Sequence, residues 1–195
     1  SFWSEDNLND SVNDAYTEIA GAIQAIRKNG TVTFPANVNY LTPATLLSDT
    51  TYLNTLAIFD IKRNIFLKDN LSWPKDFQKI RPDWELMVLP PDYWCPVDCT
   101  QIVVFGRLPA TSPYKIYYSA TAPTLTSDSD VLLLPDLAEL AIEEYVQGDL
   151  LEQAEEFSKS QMHFAKYEGE LAKLVQLSKD FAKSDFMAFV EGRPM

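Results

Sequence analysis

With 195 residues, 46% of them hydrophobic and 23% charged, the chain can bury about 70% of its unfolded surface. That suits one domain, or one domain with a sizeable insertion. Sixteen Lys and Arg against 28 Asp and Glu give 16 − 28 = −12, which argues against wrapping a duplex, since phosphates need a basic face. Wholesale disorder, Gly-rich repeats and an apolar run of ~20 residues are also excluded, leaving a soluble, acidic, globular protein.

The first residue is Ser rather than Met, which suggests a trimmed start. Phe2 and Trp3 run into Glu5 and Asp6 with no basic-then-apolar signal pattern. Residues 4–28 read as a helix, because Leu8, Val12, Ile19, Ile23 and Ile26 recur every three to four residues, with Ala15, Tyr16 and Ala22 between them. Ser4 is its expected N-cap and Asn29-Gly30 its expected stop. Eight of the twelve prolines then fall between Pro74 and Pro123, a density that confines strands to short lengths and edges. Strands are predicted at Thr31 to Phe34, Tyr52 to Phe59, Asn64 to Leu67, Glu85 to Leu89, Gln101 to Phe105 and Tyr114 to Ser119. The last two carry the clearest pattern.

Beyond Pro123 the helical rhythm returns. Pro135 is suited to a first helical position, and Leu137, Leu140, Ala141, Tyr145 and Val146 form a stripe. Gly148 is predicted to break this helix, with Asp149 and Glu152 capping a second one over Leu150 to Lys183. The tail, residues 184–195, carries Phe186, Met187, Phe189 and Val190. The expected fold class is therefore α+β. A helical bundle forms from the N-terminal helix (1–30) and a C-terminal hairpin (124–183), with an antiparallel β-rich insertion (31–123) and a docking tail (184–195).

The search for chemistry returns little. His163 is the single histidine, and it reads as a helix-surface or interface residue. Cys95 and Cys99 with one distant His cannot build a four-ligand zinc site. They read as reduced structural thiols, with a short local disulfide as the alternative. No phosphate loop, nucleophile elbow or zinc-protease helix is present. Asp128-Ser129-Asp130 begins like a calcium loop but lacks the Gly and the closing Glu. The stretch from Asp128 to Glu156 holds ten carboxylates and no Lys or Arg. It is either a solvated helix face or a surface that repels another polyanion. Trp73, Trp84, Tyr93 and Trp94 lie in Pro-rich loops, as satellites of a core, as interface contacts, or as a carbohydrate platform.

The order of features resembles the head–tail adaptor, or neck, proteins of tailed double-stranded DNA phages. The resemblance rests first on Phe2-Trp3-Ser4-Glu5-Asp6 and the following Leu8 to Ala15, then on Tyr114 to Pro123, Leu125 to Asp130 and Leu134-Pro135. A hairpin with Gly148-Asp149 near its bend and Phe157, Tyr167 and Leu171 beyond completes it. It covers roughly 2–28 and 100–180, while 31–99 matches in texture alone.

That resemblance implies a structural protein, not an enzyme, with no cofactor, located at the neck of a virion assembled in the host cytoplasm. Such proteins form homo-oligomeric rings, usually of twelve, beneath the portal protein and above a tail or nozzle protein. Double-stranded DNA passes through them only as cargo, and no membrane is involved. Twelve copies would carry 12 × −12 = −144 formal charges around a channel. Candidate lumen residues are Asp136, Glu139, Glu143, Glu144, Glu152, Glu155 and Glu156. Candidate portal or tail contacts are Trp73, Trp84, Trp94, Phe186, Met187 and Phe189. The competing readings are another neck or tail-completion protein, a carboxylate-dependent hydrolase, and a secreted binding module built on the tryptophans.

Overall fold

The computed structural model describes residues 3–98, 100–127 and 129–190, with side chains through residue 180. The chain divides into two compact units, residues 1–26 with 121–195 and residues 27–120. The architecture is α+β, as read from the sequence: an N-terminal helix, antiparallel sheets, then a helix pair that packs on the first helix.

In the helical unit, α1 (Glu5–Ala22) starts at Ser4, whose Oγ accepts from the Asn7 backbone N–H. The helix ends earlier than the expected residue 28. Ile23 donates its N–H back to Ile19 and Gly21, and Gln24 turns the chain with φ 52°. Ile23 is also buried in the helical core, so the turn is fixed by packing that periodicity cannot see.

In the β-rich unit, β1 (Arg27–Phe34) pairs antiparallel with β7 (Ser112–Ala120) along its whole length. The expected helix stop, Asn29-Gly30, therefore lies in mid-strand. Gly30 packs there against Leu47, whose Cδ2 would stand 2.5 Å from an added Cβ and would have to swing away. Between these strands come β2 (Tyr40–Leu41), α2 (Pro43–Leu47), β3 (Tyr52–Asp60), β4 (Ile65–Phe66), α3 (Lys75–Ile80), β5 (Trp94–Pro96) and β6 (Ile102–Val104). They form a four-stranded sheet, β1-β7-β3-β4, and a three-stranded sheet, β2-β6-β5.

Glu85 to Leu89, expected as a strand, is irregular, with turn at Glu85 and Leu86 and a single bridge from Val88 to Arg107. Leu86 and Val88 face solvent, and Pro90-Pro91 removes two successive donors, so no ladder can propagate. The short elements β2, β5, α2 and α3 carried no periodic signal. One core joins the four-stranded sheet, where Phe34 stacks on Tyr114 at 4.3 Å. Another gathers Phe77, Trp84, Cys95, Val103 and Phe105.

Back in the helical unit, a 3-10 turn (Asp136–Ala138), with Pro135 as its N-cap, leads into α4 (Glu139–Gln153), whose own N-cap is Ala138. Gly148 does not break this helix. It lies inside α4 and is buried against the Phe164 ring, 3.1 Å from where a Cβ would stand. The reversal falls at 154–156, where Glu155 takes φ 61°. The second helix, α5 (Phe157–Val190), accordingly begins after the predicted Leu150 and runs beyond Lys183. Residues 191–195 lie outside the described residues.

Candidate functional site

The α4–α5 hairpin carries most of the predicted site, and its packing follows from small residues facing rings. Gly148 admits Phe164, and Tyr145 meets Phe164 at 5.8 Å and Tyr167 at 5.1 Å, both edge to face. Below them Ile19 of α1 and Ile23, its C-cap, join Ala138, Ala141 and Leu174. One polar cluster crosses the hairpin. Glu144 Oε2 lies 2.7 Å from His163 Nδ1, and Glu144 Oε1 accepts from Lys166 Nζ at 3.3 Å. Desolvation works against ionising Glu144, yet the hydrogen bond from His163 and the Lys166 charge hold its carboxyl below the usual range.

The predicted acidic face thus splits. Glu144 is taken up inside the hairpin and Glu156 is paired with Lys159, so neither is an uncompensated carboxylate. The partners come from α5, outside the cation-free stretch, which is why counting within that stretch missed them. Asp136, Glu139, Glu143, Glu152 and Glu155 are exposed. The acidity as a whole belongs to the helical unit. Residues 1–26 and 121–195 hold 20 acidic and 6 basic side chains, 6 − 20 = −14, whereas residues 27–120 hold 8 and 10, a net of +2.

The tryptophans are placed differently from a contact surface. Trp84 and Trp94 are 1% and 3% exposed and fill the β-rich unit, so they have no surface to offer a partner. Trp73 is partly buried against the same core, with Tyr40 edge-on at 6.2 Å. Phe77 and Phe105 pack against Trp84 at 5.1 and 6.2 Å. The satellite-core reading holds for these rings, because short loops and α3 enclose them. Phe186, Met187 and Phe189 fall on the helical backbone of α5, but their side chains lie outside the described residues.

Cys95 is a buried free thiol, while Cys99 lies outside the described residues. Asp128 also lies outside them. Asp130 accepts from the Thr126 and Ser127 backbone N–H groups and so closes a turn instead of opening a calcium loop. Among the described residues no group of three or more His, Cys, Asp or Glu could hold a metal, and no helix is long and apolar enough to cross a membrane.

The other displaced carboxylates serve the fold. Asp49 lies well below the usual range because it accepts from Thr51, Tyr118 and Lys28. Burial and Asp49 in turn push the Tyr118 hydroxyl up to about 12. Burial opposes ionisation of Asp60, but Arg63 Nε at 2.7 Å and the backbone N–H groups of Lys62 and Arg63 keep it ionised.

Two features escaped sequence reasoning. The first is the set of clamps around α1. The Trp3 indole donates to the Leu150 carbonyl at 3.2 Å, and Asn7 donates to Gln153. The Asn13 amide both donates to the Leu125 carbonyl and accepts from the Leu125 N–H, at 3.1 and 2.7 Å. Tyr16 Oη accepts from Leu133, and Ser178 donates to the carbonyl of Ile23. Trp3 and Asn13 of the N-terminal motif, with Asn7 and Tyr16 beside them, therefore help tie the N-terminal helix to the C-terminal segments of its unit. The second feature is an apolar patch before and into α4, formed by Val131, Leu133, Leu137 and Leu140.

The sequence model of the SU10 adaptor protein family matches residues 1–187. The chain belongs to that family. It is a phage adaptor protein, a structural role in which it binds other proteins of the virion. No match was found among curated proteins. In this adaptor the family match spans both units, including residues 31–99, where the sequence resemblance was one of texture alone.

Proposed function

We propose that this adaptor forms a ring, of about twelve copies as the resemblance implies, beneath the portal at the neck of the virion. The ring extends the DNA channel and gives the tail or nozzle protein its platform. The observation that carries this reading is the placement of charge within an adaptor family chain. All of the net acidity lies in the helical unit, which is closed by clamps from both chain ends.

A wall that DNA slides past must not hold phosphates, and like charge keeps them off at short range. Glu152 and Glu155 at the far end of α4 are exposed, and among the described residues neither meets a cation within ion-pair distance. They are the proposed lumen residues; Glu156 beside them is exposed but paired with Lys159. The C-terminal part of α5, with Phe186, Met187 and Phe189, is the proposed docking arm toward portal or tail.

The test is assembly on the template. Purified chain mixed with purified portal is expected to co-sediment as one defined complex with several copies of the chain per portal. A chain that stays monomeric and leaves portal unbound contradicts the reading. Monomer alone, without portal, is compatible with it, because rings that form on a template need the template.

A further inference from the structure

Val131, Leu133, Leu137 and Leu140 are 76%, 55%, 67% and 48% exposed, four large apolar side chains within ten residues. They adjoin a hollow of about 210 Å³ lined by Val131, Leu132, Leu134 and Ile142 together with the carboxylate residues Asp136 and Glu139. Isolated exposed leucines are ordinary, but an apolar patch gathered beside a hollow marks an interaction surface. Its rim is acidic. Leu140 lies one helical turn from Asp136 and Glu143 and next to Glu139, and all three carboxylates are exposed. The occupant must therefore be apolar and carry positive charge.

The same chain presents such a surface. On the outer face of the four-stranded sheet, Phe59, Phe66 and Tyr117 are partly exposed and touch one another, Phe59–Phe66 at 5.0 Å and Phe66–Tyr117 at 5.8 Å. Lys115, directly across from Phe59 in the ladder, extends over the Tyr117 ring at 5.2 Å, and exposed Lys62 follows at the end of β3. The helix α2 covers the opposite face, where Leu47 meets Gly30. One surface is apolar with carboxylates around it, the other aromatic with ammonium groups over it.

We propose that residues 131–143 of one copy dock on this sheet face of a second copy. The contact joins two different patches, so each copy offers both halves and the contact can repeat from subunit to subunit, as a ring requires. The proposal rests on the ring reading and deepens it. It assigns Asp136, Glu139 and Glu143 to the subunit contact and leaves Glu152 and Glu155 for the channel.

The test places a photo-crosslinking amino acid at Leu137 in particles assembled with the full chain. The expected product is a dimer of this chain, with the crosslinked peptide containing residues 57–66 or 115–117. A product with a different virion protein, one with another part of the second copy, or no product from particles that contain the chain overturns the proposal alone. Particles that lack the chain overturn the ring reading and the proposal with it. Charge reversal gives an independent check. Glu139→Lys and Lys115→Glu are each expected to lower the dimer yield about threefold, the scale of an exposed ion pair, and the double variant to restore it. A double variant no better than either single one counts against the pairing.

Discussion

The two units of this chain differ in what fills them and in what they show to solvent. The β-rich unit holds three of the four tryptophans, two of them fully enclosed, and its charges nearly cancel. The helical unit interleaves small residues, Ala15, Ala20, Ala138, Ala141 and Gly148, with larger ones such as Tyr16, Ile19, Tyr167 and Leu174, and carries the acidity and the exposed leucines. A core of large rings supplies much apolar burial per residue, so that unit needs little from a neighbour. Small residues facing rings let the helices approach closely, while Val131, Leu133, Leu137 and Leu140 lie outside that core. Apolar surface then remains outside, available for assembly.

The contrast can be broken by substitution. Trp84→Ala removes the enclosed ring at the centre of the β-rich unit and is expected to cost about 3–5 kcal/mol in denaturant unfolding. A loss below 1 kcal/mol would mean that the aromatic cluster is not what holds that unit. Asp60→Asn is expected to cost about 3 kcal/mol at neutral pH, because Arg63 loses its buried charge partner. Asp60 has a depressed native pKa, so its contribution is fully present above the ordinary aspartate value of ~3.9. It is lost as the pH falls through the native value. The gap between wild type and Asp60→Asn should therefore narrow on acidification below about pH 4, and a gap that is constant with pH would refute the assignment.

In the helical unit Gly148→Val is expected to cost about 2 kcal/mol, since its side chain enters the Phe164 ring. A neutral result would show that the two helices can part without loss. Glu144→Gln should cost least, about 1 kcal/mol or less, for a partly exposed cluster with His163 and Lys166. The Glu144 pKa is also lowered, so its contribution too is present above the ordinary glutamate value of ~4.3 and fades on acidification. Unfolding midpoints at pH 7 and pH 3.5 measure both effects.

Much of this contrast was legible in the sequence. The α1 stripe, the strands around Ile102 and Tyr114, and the helical return after Pro135 follow from periodicity and from Pro and Gly placement. What was not legible depends on distant partners. Gly148 resembles a helix break until Phe164 is seen against it, sixteen residues along. Glu144 counts as an uncompensated carboxylate until His163 and Lys166 return on the next helix. Trp84 and Trp94 sit in loop-like sequence, yet β5, β6 and α3 are built around them. Residues 27–30 read as a helix end, but pairing with 116–119 makes them strand. In each case a contact across the fold overrides a local preference.

The measurement that bears most directly on the role of this adaptor is a reconstruction of the neck of intact particles without imposed symmetry. The expected result is a closed ring of this chain between portal and tail, with Glu152 and Glu155 facing the DNA channel. Density for the chain elsewhere in the particle, or a ring with those carboxylates on its outer wall, would contradict it.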